Sequence, residues 1–277
     1  MSVSPRISAS PIIIDSHGFE TPFFTTTAGG TGSIEGQTPA TFNGTWLRDK
    51  GAGTSSAIVQ TAVVAPGGGT QAVQVTKAAS EVEASWAVPV SGYPASGFIC
   101  IDWDMRVNGP AGNVNNQFGP FMGVKSYDDD ANSLGVLGTW GVDATTGEVL
   151  VQDAGTGFLD APGPVVALGT WNHYGMELNF NTHSYRVLLN NVQVGPSIGF
   201  VDQNNVVGGL NEFTDADIAT FIAAAGAAGA QTGTAFFDNF TVEDGPCVPE
   251  PGTLALAAIG VCGLWLGRCR EQRRLSK

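Results

Sequence analysis

Positive charge is scarce in this sequence. Of 277 residues only 12 are Lys or Arg, against 25 Asp or Glu, a formal net charge of −13. Through Pro249 the imbalance is steeper, with seven basic residues facing 23 acidic ones, a net of −16. Such a body repels nucleic-acid phosphates and anionic headgroups, which excludes nucleic acid as a partner. Histidine is rarer still: His17, His173 and His183 are scattered, with no second ligand at metal spacing, so zinc is not expected. The four cysteines, Cys100, Cys247, Cys262 and Cys269, lack the paired spacing of a zinc or redox motif. Cys100 and Cys247 are left as either a disulfide of an oxidising compartment or two free thiols. The glycine stretch GGTGSIEG is followed by neither a Lys nor a helix pattern, so it is no phosphate loop.

What the sequence does have is glycine and alternation. Gly occurs 38 times, about twice ordinary usage, and only 13% of residues are charged while 43% are hydrophobic. This composition suits short strands joined by tight turns. In FICIDWDMRV, Ile99, Ile101, Trp103, Met105 and Val107 fall on one side, and Cys100, Asp102, Asp104 and Arg106 on the other, the period of a half-buried strand. EVEASWAV sets Val82, Ala84, Trp86 and Val88 against Glu81, Glu83 and Ser85. HYGMELNF aligns Tyr174, Met176, Leu178 and Phe180, and YRVLL then runs to Asn190-Asn191, a pair that tolerates left-handed backbone and so predicts a tight hairpin. One short helix is predicted from Thr214, which can cap DADIATFIAAA. Ile218, Phe221, Ile222 and Ala225 follow helical spacing, and Asp215 and Asp217 suit the positive N-terminal end. The fold class expected is all-β, an antiparallel sandwich over residues 12–244 carrying one short helix.

The last thirty residues are different in kind. Val248-Pro249-Glu250-Pro251 is followed by an uncharged run from Pro251 to Gly267 and then by Arg268, Arg270, Arg273, Arg274 and Lys277. As a helix the run reaches roughly 25 Å at about 1.5 Å per residue, close to a hydrocarbon core of about 30 Å. Pro249 and Pro251 isolate it from the body, and the basic cluster fixes its end on the cytoplasmic side by the positive-inside rule. The reading is a C-terminal transmembrane helix with the acidic body outside.

These three parts in order resemble the PEP-CTERM sorting signal of bacterial surface proteins. The resemblance implies recognition and cleavage of residues 245–277 by an exosortase, with the protein first a single-pass membrane protein and then released or attached at the cell surface. It also implies an N-terminal secretory signal. Met1 to Ser10 holds one Arg, and Pro11 to Ile14 is too short for the apolar core of such a signal, so the expectation is a translation start further upstream.

A second resemblance covers most of residues 15–244. GTWNHYGMELNFNTHSYRVLLNNVQVG is similar to the late hairpin of concanavalin A-like, laminin-G-like jelly rolls, TAFFDNFTVED to their closing strand, and GFETPFF with GQTPATFNGTW to the opening of bacterial members. It implies a jelly-roll fold and leaves function open.

For chemistry, the laminarinase-like glucanases of this fold imply alternating carboxylates on a strand. Asp102 and Asp104 are the nearest equivalents, but Arg106 stands at the next outward position, and Glu81 with Glu83 forms a pair without a third partner. A non-catalytic reading asks less: Glu81, Asp102, Asp104 and Arg106 with one of Trp46, Trp140 or Trp171 would make a glycan-binding face, whereas the plain alternative is core tryptophans and solvated acids. Asp128 to Asp130 offers carboxylates for Ca²⁺ without the spacing of a calcium loop, and a solvated turn is the simpler reading. Asn43 and Asn239 sit in chance-level glycosylation sequons. No catalytic residue, cofactor or metal is assigned. The function expected is a non-catalytic exported surface or matrix protein that binds glycan, the alternatives being a secreted glycoside hydrolase or a purely structural surface-layer component.

Overall fold

The computed structural model describes residues 11–41, 44–90, 93–94, 97–112, 118–130, 133–156, 159–223 and 231–247. The chain divides between Cys247 and Val248. The transmembrane-helix, sorting-signal and arginine-cluster assignments, Val248 to Lys277, therefore lie outside the described residues, as do residues 1–10. Among the described residues no helix is long and apolar enough to cross a membrane.

Strands dominate the body. In chain order they are β1 (Ile12–Asp15), β2 (Leu47–Lys50), β3 (Ser56–Gln60), β4 (Ala72–Lys77), β5 (Glu83–Ala87), β6 (Tyr93–Pro94), β7 (Phe98–Gly112), β8 (Phe121–Asp130), β9 (Ser133–Asp143), β10 (Val149–Gln152), β11 (Leu159–Asp160), β12 (Trp171–Asn179), β13 (Ser184–Leu189), β14 (Val192–Gly199), β15 (Glu212–Phe213), β16 (Asp215–Phe221) and β17 (Thr232–Asp244). The first sheet runs β14-β13-β12-β7-β17-β4-β3, with β1 also pairing β17, and the second runs β11-β10-β9-β8-β16-β5-β2. The pairings within both sheets are antiparallel. This is a β-sandwich with jelly-roll order: β17 closes the first sheet between β7 and β4, while β16 crosses into the middle of the second.

Alternation explains the sandwich. Ile101, Trp103 and Met105 of β7, Tyr174 and Met176 of β12, and Val75 of β4 face inward from the first sheet. Trp86, Val124, Trp140, Val142 and Ile218 meet them from the second. Trp46, Trp86, Trp103 and Trp140 are fully buried, and Trp103 stacks on Tyr174 at 5.8 Å with planes 12° apart. Each such side chain contributes about 1.5–3 kcal/mol through burial. The Asn190-Asn191 turn has φ of 50° and 65°, the left-handed pair that joins Leu189 of β13 to Val192 of β14.

The helix expected after Thr214 is a strand. β16 pairs with β8 along one edge and β5 along the other, so its backbone groups are satisfied across the sheet. Ala216 and Ile218 enter the core, while Asp215, Asp217, Ala219 and Phe221 alternate to the outer side. The Thr214 hydroxyl, expected as a helix cap, instead accepts the Asp129 N–H at 2.8 Å and donates to the Tyr127 carbonyl at 3.1 Å. Tertiary pairing on two edges overrides a local helical pattern worth tenths of a kcal/mol per residue.

Cys100 and Cys247 form a disulfide, which decides between the two readings left open by the sequence. It ties the central strand β7 to the end of the described chain and fits an oxidising compartment.

Candidate functional site

The outer side of the first sheet carries the acids expected at a glycan-binding face. Asp102 and Asp104 project from β7 beside His173 of β12, whose Nδ1 lies 3.1 Å from Asp104 and Nε2 3.5 Å from Asp102. Hydrogen bonds to Asp102 and then Asp104 raise His173 to about 10, so the ring is a cation at neutral pH. Asn239, at a bulge of β17 with φ of 49°, donates to Asp104 at 2.8 Å. Arg106 stands opposite Trp171 on β12, and Trp171 is partly exposed. Trp46 and Trp140 are core residues with no exposed ring. Glu81 stands apart from this row. It is buried before β5 and accepts the N–H groups of Thr54 and Ser55 at 3.0 and 2.8 Å. Burial alone would push Glu81 up, but these hydrogen bonds outweigh it and bring the carboxyl down to about 2. At the far end of the same sheet, Glu177 binds Arg186 through two contacts, at 2.7 and 2.8 Å, and accepts the Cys247 N–H at 2.9 Å.

The Asp128 to Asp130 segment is the end of β8 rather than a solvated turn. Asp128 is buried and accepts the N–H groups of Asn211 and Glu212 at 2.6 and 3.0 Å, which pins the chain leading into β15.

The outer side of the second sheet holds a constellation that the sequence reading missed. Asp215 and Asp217 of β16 are 6% and 0% exposed. Neither oxygen of Asp217, and not Oδ1 of Asp215, has a hydrogen-bond donor. Burial and then neighbouring carboxylates, Asp129 for Asp215 and Asp215 for Asp217, hold both well above the ordinary aspartate range. Two close carboxyl groups without donors are compatible only if a proton lies on the pair.

Two lysines bracket this pair. Lys125 of β8 stands opposite Asp217 in register but bonds Glu83 of β5 at 3.0 Å, which carries its chain over β16. Lys50 of β2 reaches the Tyr127 hydroxyl of β8 at 2.8 Å, crossing β5 and β16 from the other side. Its ammonium also lies 4.1 Å from the Tyr127 ring centre, and Lys125 lies 5.2 Å from the Tyr127 and Phe221 rings. Asp49 accompanies Lys50 at 3.8 Å. Next to the polar array the floor turns apolar: Phe121 and Phe221 stack at 4.3 Å, and Phe121 lies over Gly123 and Gly141, where a Cβ would collide with the ring and the facing carbonyls. The Tyr127 and Phe121 rings are buried in this layer, and Phe221 is partly exposed. Reading DADIATF with period two puts both aspartates on one side and would have located the pair. Lys50, Lys125 and Tyr127 carried no signal in the sequence, because only the strand order brings them together.

Comparison with known proteins agrees with this division. The PEP-CTERM protein-sorting motif matches residues 248–274. A search of curated protein sequences gives no match. Among solved structures the chain is similar to the cellulose-induced protein Cip1, with a TM-score of 0.51, 14% identity, and coverage of 73% of this chain and 94% of that one. It is more loosely similar to a sialidase (TM-score 0.48, 9% identity, 72% of this chain and 17% of that one) and to alginate lyase A1-II′ of polysaccharide lyase family 7 (TM-score 0.46, 9% identity, 64% and 81%). The chain is thus a jelly-roll β-sandwich consistent with the concanavalin A-like fold. It carries a PEP-CTERM sorting motif, the mark of an exported protein that an exosortase recognises and processes at its C-terminus.

Proposed function

We propose that this is a cell-surface or extracellular-matrix protein that holds polysaccharide on the outer side of the second sheet without cleaving it. Before processing, the apolar run after Pro251 anchors it as a single membrane-spanning helix, with Arg268, Arg270, Arg273 and Arg274 in the cytoplasm. The observation that supports the binding role is the ionisable array around Tyr127, Lys50, Lys125 and the Asp215–Asp217 pair. Burying carboxyls without donors costs several kcal/mol, and perturbed groups of this kind gather at functional surfaces. The row of Asp102, Asp104 and Arg106 beside Trp171 is the weaker glycan candidate, because its acids are already engaged by His173 and Asn239.

Affinity electrophoresis of the oxidised protein through gels containing neutral polysaccharides tests this. Retardation is expected, and it is reduced at least several-fold by Lys50→Ala and Asp49→Ala, whose side chains are partly exposed. Mobility unchanged by every polysaccharide contradicts the proposal. A second reading, a glycoside hydrolase, is favoured by one feature: two carboxyl groups on one strand side, the arrangement that glycosidic cleavage uses. Release of reducing sugar that disappears in Asp215→Asn would establish it in place of the non-catalytic role.

A further inference from the structure

The second sheet's array is unbalanced in charge, and the imbalance names a ligand class. Around β16 the outer side carries Asp49 from β2, Glu83 from β5, Asp129 from β8 and the Asp215–Asp217 pair, five carboxyl groups against two ammonium groups. Both ammonium groups are committed, Lys125 to Glu83 and Lys50 to Asp49 and the Tyr127 hydroxyl. Among the described residues no cation bonds the Asp217 carboxyl, and both its oxygens are buried and without a donor. An acidic polysaccharide would meet this excess of carboxylates and be repelled. A neutral sugar brings hydroxyl donors but leaves the charge uncompensated.

We propose that the outer side of the second sheet takes a glycan bearing free amino groups, with the ammonium of a hexosamine unit seated against Asp215 and Asp217. The inference rests on the polysaccharide-binding reading above and adds the charge of the sugar. In the unliganded protein a proton stands in for the ligand's cation. Seating an ammonium displaces that proton to solvent, so binding releases protons and strengthens as pH rises toward the range where the amine itself deprotonates. The groups facing the pair are Asp49 and Lys50 from β2, Glu83 and Ser85 from β5, and Lys125, Tyr127 and Asp129 from β8. The two lysines must swing outward to admit the ligand, giving up the Glu83 ion pair at 3.0 Å, the Tyr127 hydroxyl bond at 2.8 Å and their contacts with the Tyr127 and Phe221 rings.

The test is calorimetric titration of the full-length, disulfide-bonded protein with oligomers of glucosamine, of N-acetylglucosamine and of a uronic acid, each in two buffers of different ionisation enthalpy. The glucosamine oligomer should bind at least tenfold more tightly than its acetylated counterpart, with proton release visible as a buffer-dependent enthalpy. Asp217→Asn should lose that preference while keeping acetylated binding. If it does not fold, Asp49→Asn should lower the preference in part. Asp244→Asn, which removes an exposed charge from the first sheet, should leave the preference intact and so separate a seated amine from general attraction to an acidic protein. Equal affinity for the two neutral and amino oligomers would overturn the charge inference and leave the polysaccharide reading standing. Tightest binding of the uronic acid, or a preference abolished equally by Asp244→Asn, would overturn it as well. Binding of none of the three would remove both readings.

Discussion

The two outer sides of the sandwich solve the same problem in opposite ways. Each alternates acidic residues outward from an apolar strand, β7 on the first sheet and β16 on the second. On the first sheet the acids that flank β12 are matched: Asp102 and Asp104 clasp His173, and Glu177 grips Arg186 and the Cys247 amide. On the second sheet Oδ1 of Asp215 and both oxygens of Asp217 are buried without a donor within hydrogen-bond distance, while both nearby lysines bond elsewhere. The lesson is that like patterns of charge hold a fold together where partners are built in. Where partners are withheld, burial holds a proton on the carboxyls instead.

Breaking the matched side should cost the most. Cys247→Ser opens a 147-residue loop and leaves the chain after β17 held by sheet pairing and the Glu177 bond to its backbone N–H. The expected loss is about 2–5 kcal/mol, read as a lower denaturation midpoint, with reduction of the parent protein giving the same shift. A midpoint unchanged by reduction would contradict the clasp. Next in size is Glu177→Ala, which leaves the buried Cys247 N–H without its acceptor and frees Arg186, whose side chain is 34% exposed, for about 1–3 kcal/mol. A loss below about 1 kcal/mol, as for an exposed pair, would make the ion pair peripheral.

On the unmatched side the sign reverses. The pair's folded-state pKa values lie above the unfolded value of 3.8, so the folded protein binds more protons and loses stability as pH rises above about 4. Asp217→Asn should remove part of that slope: variant and parent are nearly equal near pH 4, and the variant gains in relative stability toward pH 8. Parallel curves would deny the shared proton. The smallest effect belongs to His173→Gln. Its pKa is raised from 6.5 to about 10, so its contribution is complete below 6.5 and disappears as pH climbs to about 10. The half-exposed setting keeps it within about 1 kcal/mol. A difference that grew with pH would contradict the clasp between Asp102 and Asp104.

The sequence was legible wherever alternation faced a single core. FICIDWDMRV and HYGMELNF show their inward sides directly and became β7 and β12, EVEASWAV does so only from Ala84 onward in β5, since Val82 before it is exposed and Glu81 buried, and Asn190-Asn191 announced its hairpin. DADIATFIAAA misled because Ala and well-spaced Ile and Phe satisfy both periods, and only pairing with β8 and β5 chooses between them. Glu81 looked like a neighbour of Asp102 in chemistry, yet its partners are backbone amides of the chain preceding β3. The second sheet's array was invisible for a different reason. Lys50, Glu83, Lys125 and Asp217 are separated by tens of residues, and a jelly roll sets them side by side through crossovers that no local pattern records. The sorting motif needed no folding to be read, since its three parts are contiguous.

The central claim is that the second sheet buries a carboxyl pair that holds a proton at neutral pH. Carboxyl ¹³C chemical shifts followed through a pH titration of the oxidised protein test it without any ligand. The account predicts that the Asp215 and Asp217 signals remain in the protonated range well above the pH at which ordinary aspartates ionise, while Glu81 is ionised down to about pH 2. Ordinary titration of both aspartates near pH 4 would contradict it and remove the basis for a seated amine.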